Sequence, residues 1–159
     1  MKTGLKSALL TTLVLGVVEG LIPALLIKNG LATWPPALNL FSVLGIFFIL
    51  LGLPIQIWVA WAFVKFGRGT PAPFDPPKEF VATGLYRFVR NPMYYGALCV
   101  LTGLVLLTRS MWMLVYTAFL IIAMHLFTVL VEEPQLQKRF GKPYEQYCQR
   151  VPRWIPKFK

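Results

Sequence analysis

Residues 37–64, ALNLFSVLGIFFILLGLPIQIWVAWAFV, run for 28 positions without a charged side chain. As an α-helix this stretch would reach about 42 Å, more than the roughly 30 Å hydrocarbon core of a bilayer. It therefore predicts a membrane span. Pro54 predicts a kink within it, and Trp58 and Trp61 suit the interfacial belt near its end.

Upstream, residues 7–27 (SALLTTLVLGVVEGLIPALLI) form another apolar run, broken only by Glu19 and Pro23. Lys2 and Lys6 precede it as they would in a secretory signal. No small-residue cleavage site follows, however, and Glu19 stands where one would be expected, so the run reads as a first span. Downstream, residues 65–92 carry five basic residues, five prolines and three glycines, and read as a loop outside the hydrocarbon. Residues 93–107 and 111–131 then read as an antiparallel helical hairpin turning at Thr108, Arg109 and Ser110. From 132 onward the chain is polar, and Pro134, Gly141 and Pro143 predict brief helical pieces. Within them Leu136 and Phe140 pair at i,i+4, while Tyr144, Tyr147, Cys148 and Val151 share one face. The expectation is an all-α integral membrane bundle of about four spans with a cytoplasmic C-terminal helical segment, one domain over residues 1–159.

Composition agrees. Of 159 residues, 57% are hydrophobic and only 14% charged, which excludes an ordinary soluble globule and a disordered chain. The formal net charge is +10. With four spans and an inward N-terminus, fourteen of the sixteen Lys and Arg residues fall on the cytoplasmic side, leaving only Lys28 and Arg109 outside. That distribution explains the basic excess without a nucleic-acid partner. In a bacterium the membrane would be the inner one. Cys99 and Cys148 match neither a disulfide framework nor a zinc spacing, and a single histidine argues against a metal site.

Two polar clusters stand at the cytoplasmic ends of the last two spans. In the first, Asn91 reads as a helix N-cap and Pro92 as the first helical residue, with Tyr86, Arg87, Arg90, Tyr94 and Tyr95 gathered around a helix N-terminus suited to a carboxylate or phosphate. The second runs from His125 to Glu132 and Glu133, then on to Tyr144 and Tyr147. His125 and Glu132, seven apart, should share one helix face. Two glutamates at the C-terminal end of an apolar helix oppose both its dipole and the inner-leaflet potential, so they need a cationic or hydroxyl-bearing partner. Arg87, Arg90 or a ligand could supply it. No dinucleotide fingerprint, phosphate loop or nucleophile elbow is present.

The ordered series Gly84-x-Tyr86-x-x-x-Arg90-Asn91-Pro92-x-Tyr94-x-Gly96, Glu132-Glu133-x-x-Leu136, Phe140-Gly141-x-x-Tyr144-x-x-Tyr147 and Val151-Pro152-Arg153-x-x-Pro156 resembles the isoprenylcysteine carboxyl methyltransferases, a family of membrane enzymes related to the phospholipid N-methyltransferases. The resemblance covers about residues 70–157. It implies an S-adenosylmethionine-dependent methyltransferase acting on a lipophilic, amphiphilic or lipidated acceptor that enters from the membrane lipid, at a carboxylate or a lipid amine. It also implies catalytic roles for Arg90 and Glu132, and cofactor contacts from Tyr86, Arg90, Asn91, Pro92, Tyr94, His125, Glu132, Glu133, Tyr144 and Tyr147. Many members have Arg-His-Pro where this chain has Asn91. The Tyr147, Cys148, Val151 and Pro152 pattern also resembles NADPH-dependent membrane enone or sterol-type reductases, the enzymatic alternative. A non-catalytic membrane scaffold is the other.

Overall fold

A computed structural model of the chain describes residues 13–34, 38–62, 65 and 82–156. A π-turn, Gly16–Leu21, runs directly into α1 (Ile22–Lys28). Then come α2 (Leu40–Ala62), a 3-10 turn at Gly84–Arg87, α3 (Pro92–Thr108) and α4 (Met111–Phe127). A second π-turn, Thr128–Glu132, joins α4 to α5 (Glu133–Phe140), and α6 (Lys142–Arg150) completes the fold. The described residues contain no strand.

Two helices are long and apolar enough to cross a bilayer, Leu40–Ala62 and the continuous 30-residue run Met111–Phe140. Only 22% and 11% of their most apolar stretches are buried. A core helix of a soluble protein would bury such a face, whereas here Phe47, Ile57, Phe119 and Ile122 point outward. These surfaces suit lipid. The 17-residue α3 is the opposite case, shorter and with Ala97, Val100, Leu101 and Leu107 buried at the centre of the bundle.

Glycines decide how α2 and α3 meet. The two helices run antiparallel, with Gly45 facing Gly103 and Gly52 facing Gly96. Both pairs are spaced seven residues, about 10 Å along each axis, so they lie on one seam. A Cβ on Gly52 would stand 2.5 Å from the Gly96 carbonyl oxygen, and one on Gly103 would stand 2.6 Å from that of Gly45. Backbone cannot yield as a side chain can, so only glycine permits this approach. Within a membrane, where apolar burial gives no drive for helix association, such contact supplies the packing that holds helices together.

At the opposite end of the hairpin, Arg109 adopts φ +48 and ends α3, while Ser110 accepts from the Met113 amide and caps α4. The sequence places this turn correctly. Two other expectations are corrected. Pro134 does not break the last span: the helix runs through it, just after the π-turn Thr128–Glu132, and ends at Gly141 with φ +58. Asn91 makes no capping bond to α3, because its amide turns away to donate to the Arg153 carbonyl at 3.4 Å. Pro54 lies inside α2, where the sequence places it. Of the expected first span residues 7–12 lie outside the described residues, as do 66–81 of the basic loop.

Candidate functional site

The antiparallel arrangement brings the start of α3, the end of α4 and the C-terminal segment to one end of the bundle. Arg90 precedes α3. Its backbone N–H donates to the Pro152 carbonyl at 3.0 Å, and its guanidinium donates to Glu133 at 2.8 Å and to Cys148 Sγ at 3.1 Å. Arg153 approaches the same carboxylate from the other side, with Nε and Nη2 at 2.8 and 2.7 Å from its two oxygens. Glu133 thus bridges two guanidiniums, and with side-chain exposures of 15% for Arg90 and 17% for Glu133 this ion pair is largely withdrawn from water. The bonds to Glu133 hold the Arg153 guanidinium above its ordinary pKa.

Glu132 stands apart from this network. It accepts a 3.1 Å bond from the Tyr94 hydroxyl, and no arginine, lysine or histidine among the described residues pairs with it. Adjacent carboxylates therefore differ in kind. As consecutive helical residues they point about 100° apart, at the end of the π-turn Thr128–Glu132. His125 and Glu132 connect instead through two other side chains: Trp154 lies against both His125 and Tyr94, and Tyr94 bonds Glu132.

Further aromatic residues gather at the same end of the bundle as Tyr94 and Glu132. Trp154 lies 6.1 Å from Tyr94 and 5.9 Å from the exposed His125, ring centre to ring centre, and its indole N–H donates to His125 Nδ1 at 3.0 Å. His125 thereby anchors the C-terminal segment. The Tyr147 hydroxyl donates to the Tyr86 carbonyl at 2.7 Å, tying α6 to the 3-10 turn, and Tyr144 packs against Tyr147. Burial pushes the Tyr147 phenol up, opposed by the nearby Arg90, and pushes Tyr86 up with help from the Glu132 charge. The buried Nε of Arg90 has no hydrogen-bond partner among the described residues.

All ten residues expected to bind cofactor or catalyse thus border one region, with Pro92 serving as the first residue of α3. Arg90 pairs with Glu133 rather than Glu132. Trp154, the only aromatic residue between Val151 and Pro156, was not among the expected site residues; being the lone ring in a proline-flanked segment was its only signal. An apolar groove of about 580 Å³, bordered by Trp58, Gly84 and Arg87, lies on other residues of the 3-10 turn.

A membrane-exposed helical bundle carrying a cluster of arginines, carboxylates and aromatics at one end defines the class. The chain belongs to the phospholipid methyltransferase family, whose sequence profile matches residues 40–143, well over half its length, and which is related to the isoprenylcysteine carboxyl methyltransferases. No curated protein and no solved structure matches it. By class, then, it is a membrane methyltransferase.

Proposed function

We propose that the chain transfers a methyl group from S-adenosylmethionine to the headgroup of an amphiphilic acceptor, with the charged end of the bundle on the cytoplasmic side. The observation carrying this reading is the split between the two glutamates. Glu133 is paired with two arginines, whereas Glu132, bonded to the Tyr94 hydroxyl, has no cationic partner among the described residues and has the Tyr94 ring beside it. A carboxylate flanked by rings attracts a cation, through charge and through the ring quadrupoles together. The cofactor carries a sulfonium, an ammonium and a carboxylate. The donor set suits all three: Glu132 and the Tyr94 and Trp154 rings complement the positive groups, and the orphan Nε of Arg90 can serve the carboxylate.

When bound, the cofactor supplies an electrophilic methyl whose displacement needs an in-line nucleophile. The chain's residues contribute orientation and exclusion of water. Arg90, fixed by Glu133 and by its backbone bond to Pro152, is held in place before any ligand arrives, so little ordering remains at binding. The C-terminal segment is tied to the cluster by Trp154 on His125 and by Tyr147 on Tyr86. A dry site favours reaction of a carboxylate with a sulfonium, because the opposite charges cancel as the bond forms. For an amine the nitrogen must first be neutral. In both cases the acceptor reaches the site from the bilayer, past helices that face lipid.

Titration of the purified protein with S-adenosylmethionine, and separately with NADPH, tests the cofactor. Transfer of labelled methyl to a lipid extract tests the acceptor. Binding of NADPH alone, or turnover restricted to water-soluble acceptors, would overturn the reading.

A further inference from the structure

His125 is the single histidine of the chain, and it lies in a helical run long and apolar enough to cross a bilayer, where ionisable side chains are rare and mark functional positions. Its partner among the described residues is not a charge but the indole of Trp154, whose N–H donates to Nδ1 at 3.0 Å. An indole N–H only donates, so Nδ1 is the accepting nitrogen, and the proton of a neutral imidazole sits on Nε2. One bond thus selects the tautomer.

The same indole reaches a second helix. Its ring lies 6.1 Å from that of Tyr94 on α3, and the Tyr94 hydroxyl donates at 3.1 Å to Glu132, on the helical run that carries His125. The contacts leave that run at His125 and return to it seven residues, about 10 Å, further on. Helix packing does not make this link, because the buried residues of α4, Met113 and Thr117, lie in its first half. The backbone before Trp154 is held without His125. The Pro152 carbonyl accepts from the Arg90 amide, the Arg153 carbonyl accepts from Asn91, and the Arg153 guanidinium donates to Glu133. These attachments fix where the Trp154 backbone stands, and the bond to His125 sets the direction of its ring.

We propose that His125 is a positioning residue: it turns the Trp154 indole onto Tyr94, whose hydroxyl holds Glu132, and so completes the ring pair that meets the cofactor's sulfonium, without touching the cofactor itself. The inference rests on the methyltransferase reading and deepens it. Rings attract a cation through their quadrupoles, so the arrangement acts on charge. It bears on S-adenosylmethionine, which carries the sulfonium, and not on S-adenosylhomocysteine, which lacks only the methyl and its charge.

Calorimetric titration of the full chain in nanodiscs with each of these two compounds compares the wild type, His125→Asn, His125→Phe and Trp154→Phe. Asparagine keeps an acceptor where Nδ1 stood, phenylalanine at 125 keeps a ring without the acceptor, and Trp154→Phe removes the donor. His125→Phe should weaken S-adenosylmethionine binding about three- to tenfold and leave S-adenosylhomocysteine binding within about twofold. His125→Asn should restore the wild-type ratio of the two affinities, and Trp154→Phe should lower it as His125→Phe does. An unchanged ratio in either phenylalanine variant overturns the assignment, as does a ratio in His125→Asn as low as in His125→Phe. Equal loss of both compounds in His125→Phe overturns it too, by showing direct contact or a purely structural role. Failure of the wild type to bind either compound overturns the methyltransferase reading itself.

Discussion

Glu132 and Glu133 are neighbours in sequence, and changing each to glutamine should give opposite phenotypes. Glu133→Gln removes the negative charge between Arg90 and Arg153, three bonds of 2.7–2.8 Å in all. Charged hydrogen bonds contribute about 1.5–3 kcal/mol each, but the glutamine oxygen keeps one acceptor, and Arg153 retains 32% side-chain exposure. Leaving two guanidiniums uncompensated then costs about 3–5 kcal/mol. At roughly 2–4 °C per kcal/mol for a chain of this size, Tm should fall on the order of 10 °C. Glu132→Gln loses only the charge on one bond from Tyr94, about 0.5–1.5 kcal/mol, so its Tm should drop by a few degrees at most. Its cofactor affinity should instead weaken by about five- to a hundredfold, the equivalent of about 1–3 kcal/mol. Melting in detergent and calorimetric titration of both variants read the two effects separately. Equal losses of Tm, or unchanged cofactor affinity in Glu132→Gln, would refute the division of labour.

Gly84 has φ +59, and an added Cβ would fall 2.1 Å from the Trp58 ring, so Gly84→Ala should destabilise by about 2–4 kcal/mol, and Trp58→Ala in the same chain should recover the steric part but not the backbone part. Thermal melts of the single and double variants test this, and full recovery would disprove the backbone contribution. Gly52→Ala puts a methyl against the Gly96 carbonyl and should lower stability by about 1–3 kcal/mol, whereas alanine at Gly20, with open space around it, should not. The tyrosines titrate in the alkaline range: burial raises the folded-state values of Tyr86 and Tyr147 above their ordinary 10.0, so the stability they confer is complete below pH 10 and is lost as pH climbs through the folded values. Tyr147→Phe should therefore melt earlier at neutral pH, for want of its bond to Tyr86, and lose less stability between pH 9 and 11; an identical alkaline slope would contradict this. Reporter fusions after Lys28, Gly69, Arg109 and Lys159 should signal the cytoplasmic side at Gly69 and Lys159 only, and the reverse pattern would invert the bundle.

Composition and hydropathy alone determined that the chain is helical and membrane-borne, because a 28-residue uncharged stretch has no stable alternative in lipid to a closed set of backbone bonds. The turn at Thr108–Ser110 and the motif series from Gly84 to Pro156 were equally legible, since turn chemistry and ordered spacing are local properties. The seam on Gly45, Gly52, Gly96 and Gly103 was visible only as two seven-residue spacings, whose partnership depends on which helices meet and in which direction. Only the tertiary structure decided which glutamate Arg90 holds. Counting along the helical period gives the directions of Glu132 and Glu133 but not which of them meets an arginine from another element. Likewise, Asn91 has every local qualification for an N-cap, yet a carbonyl 62 residues away takes its amide. Glu19 marked itself in the sequence as an interruption of an apolar run; that it is held by Gln56, one turn below the charged cluster, results from the close approach of α2 and α3 that glycine allows.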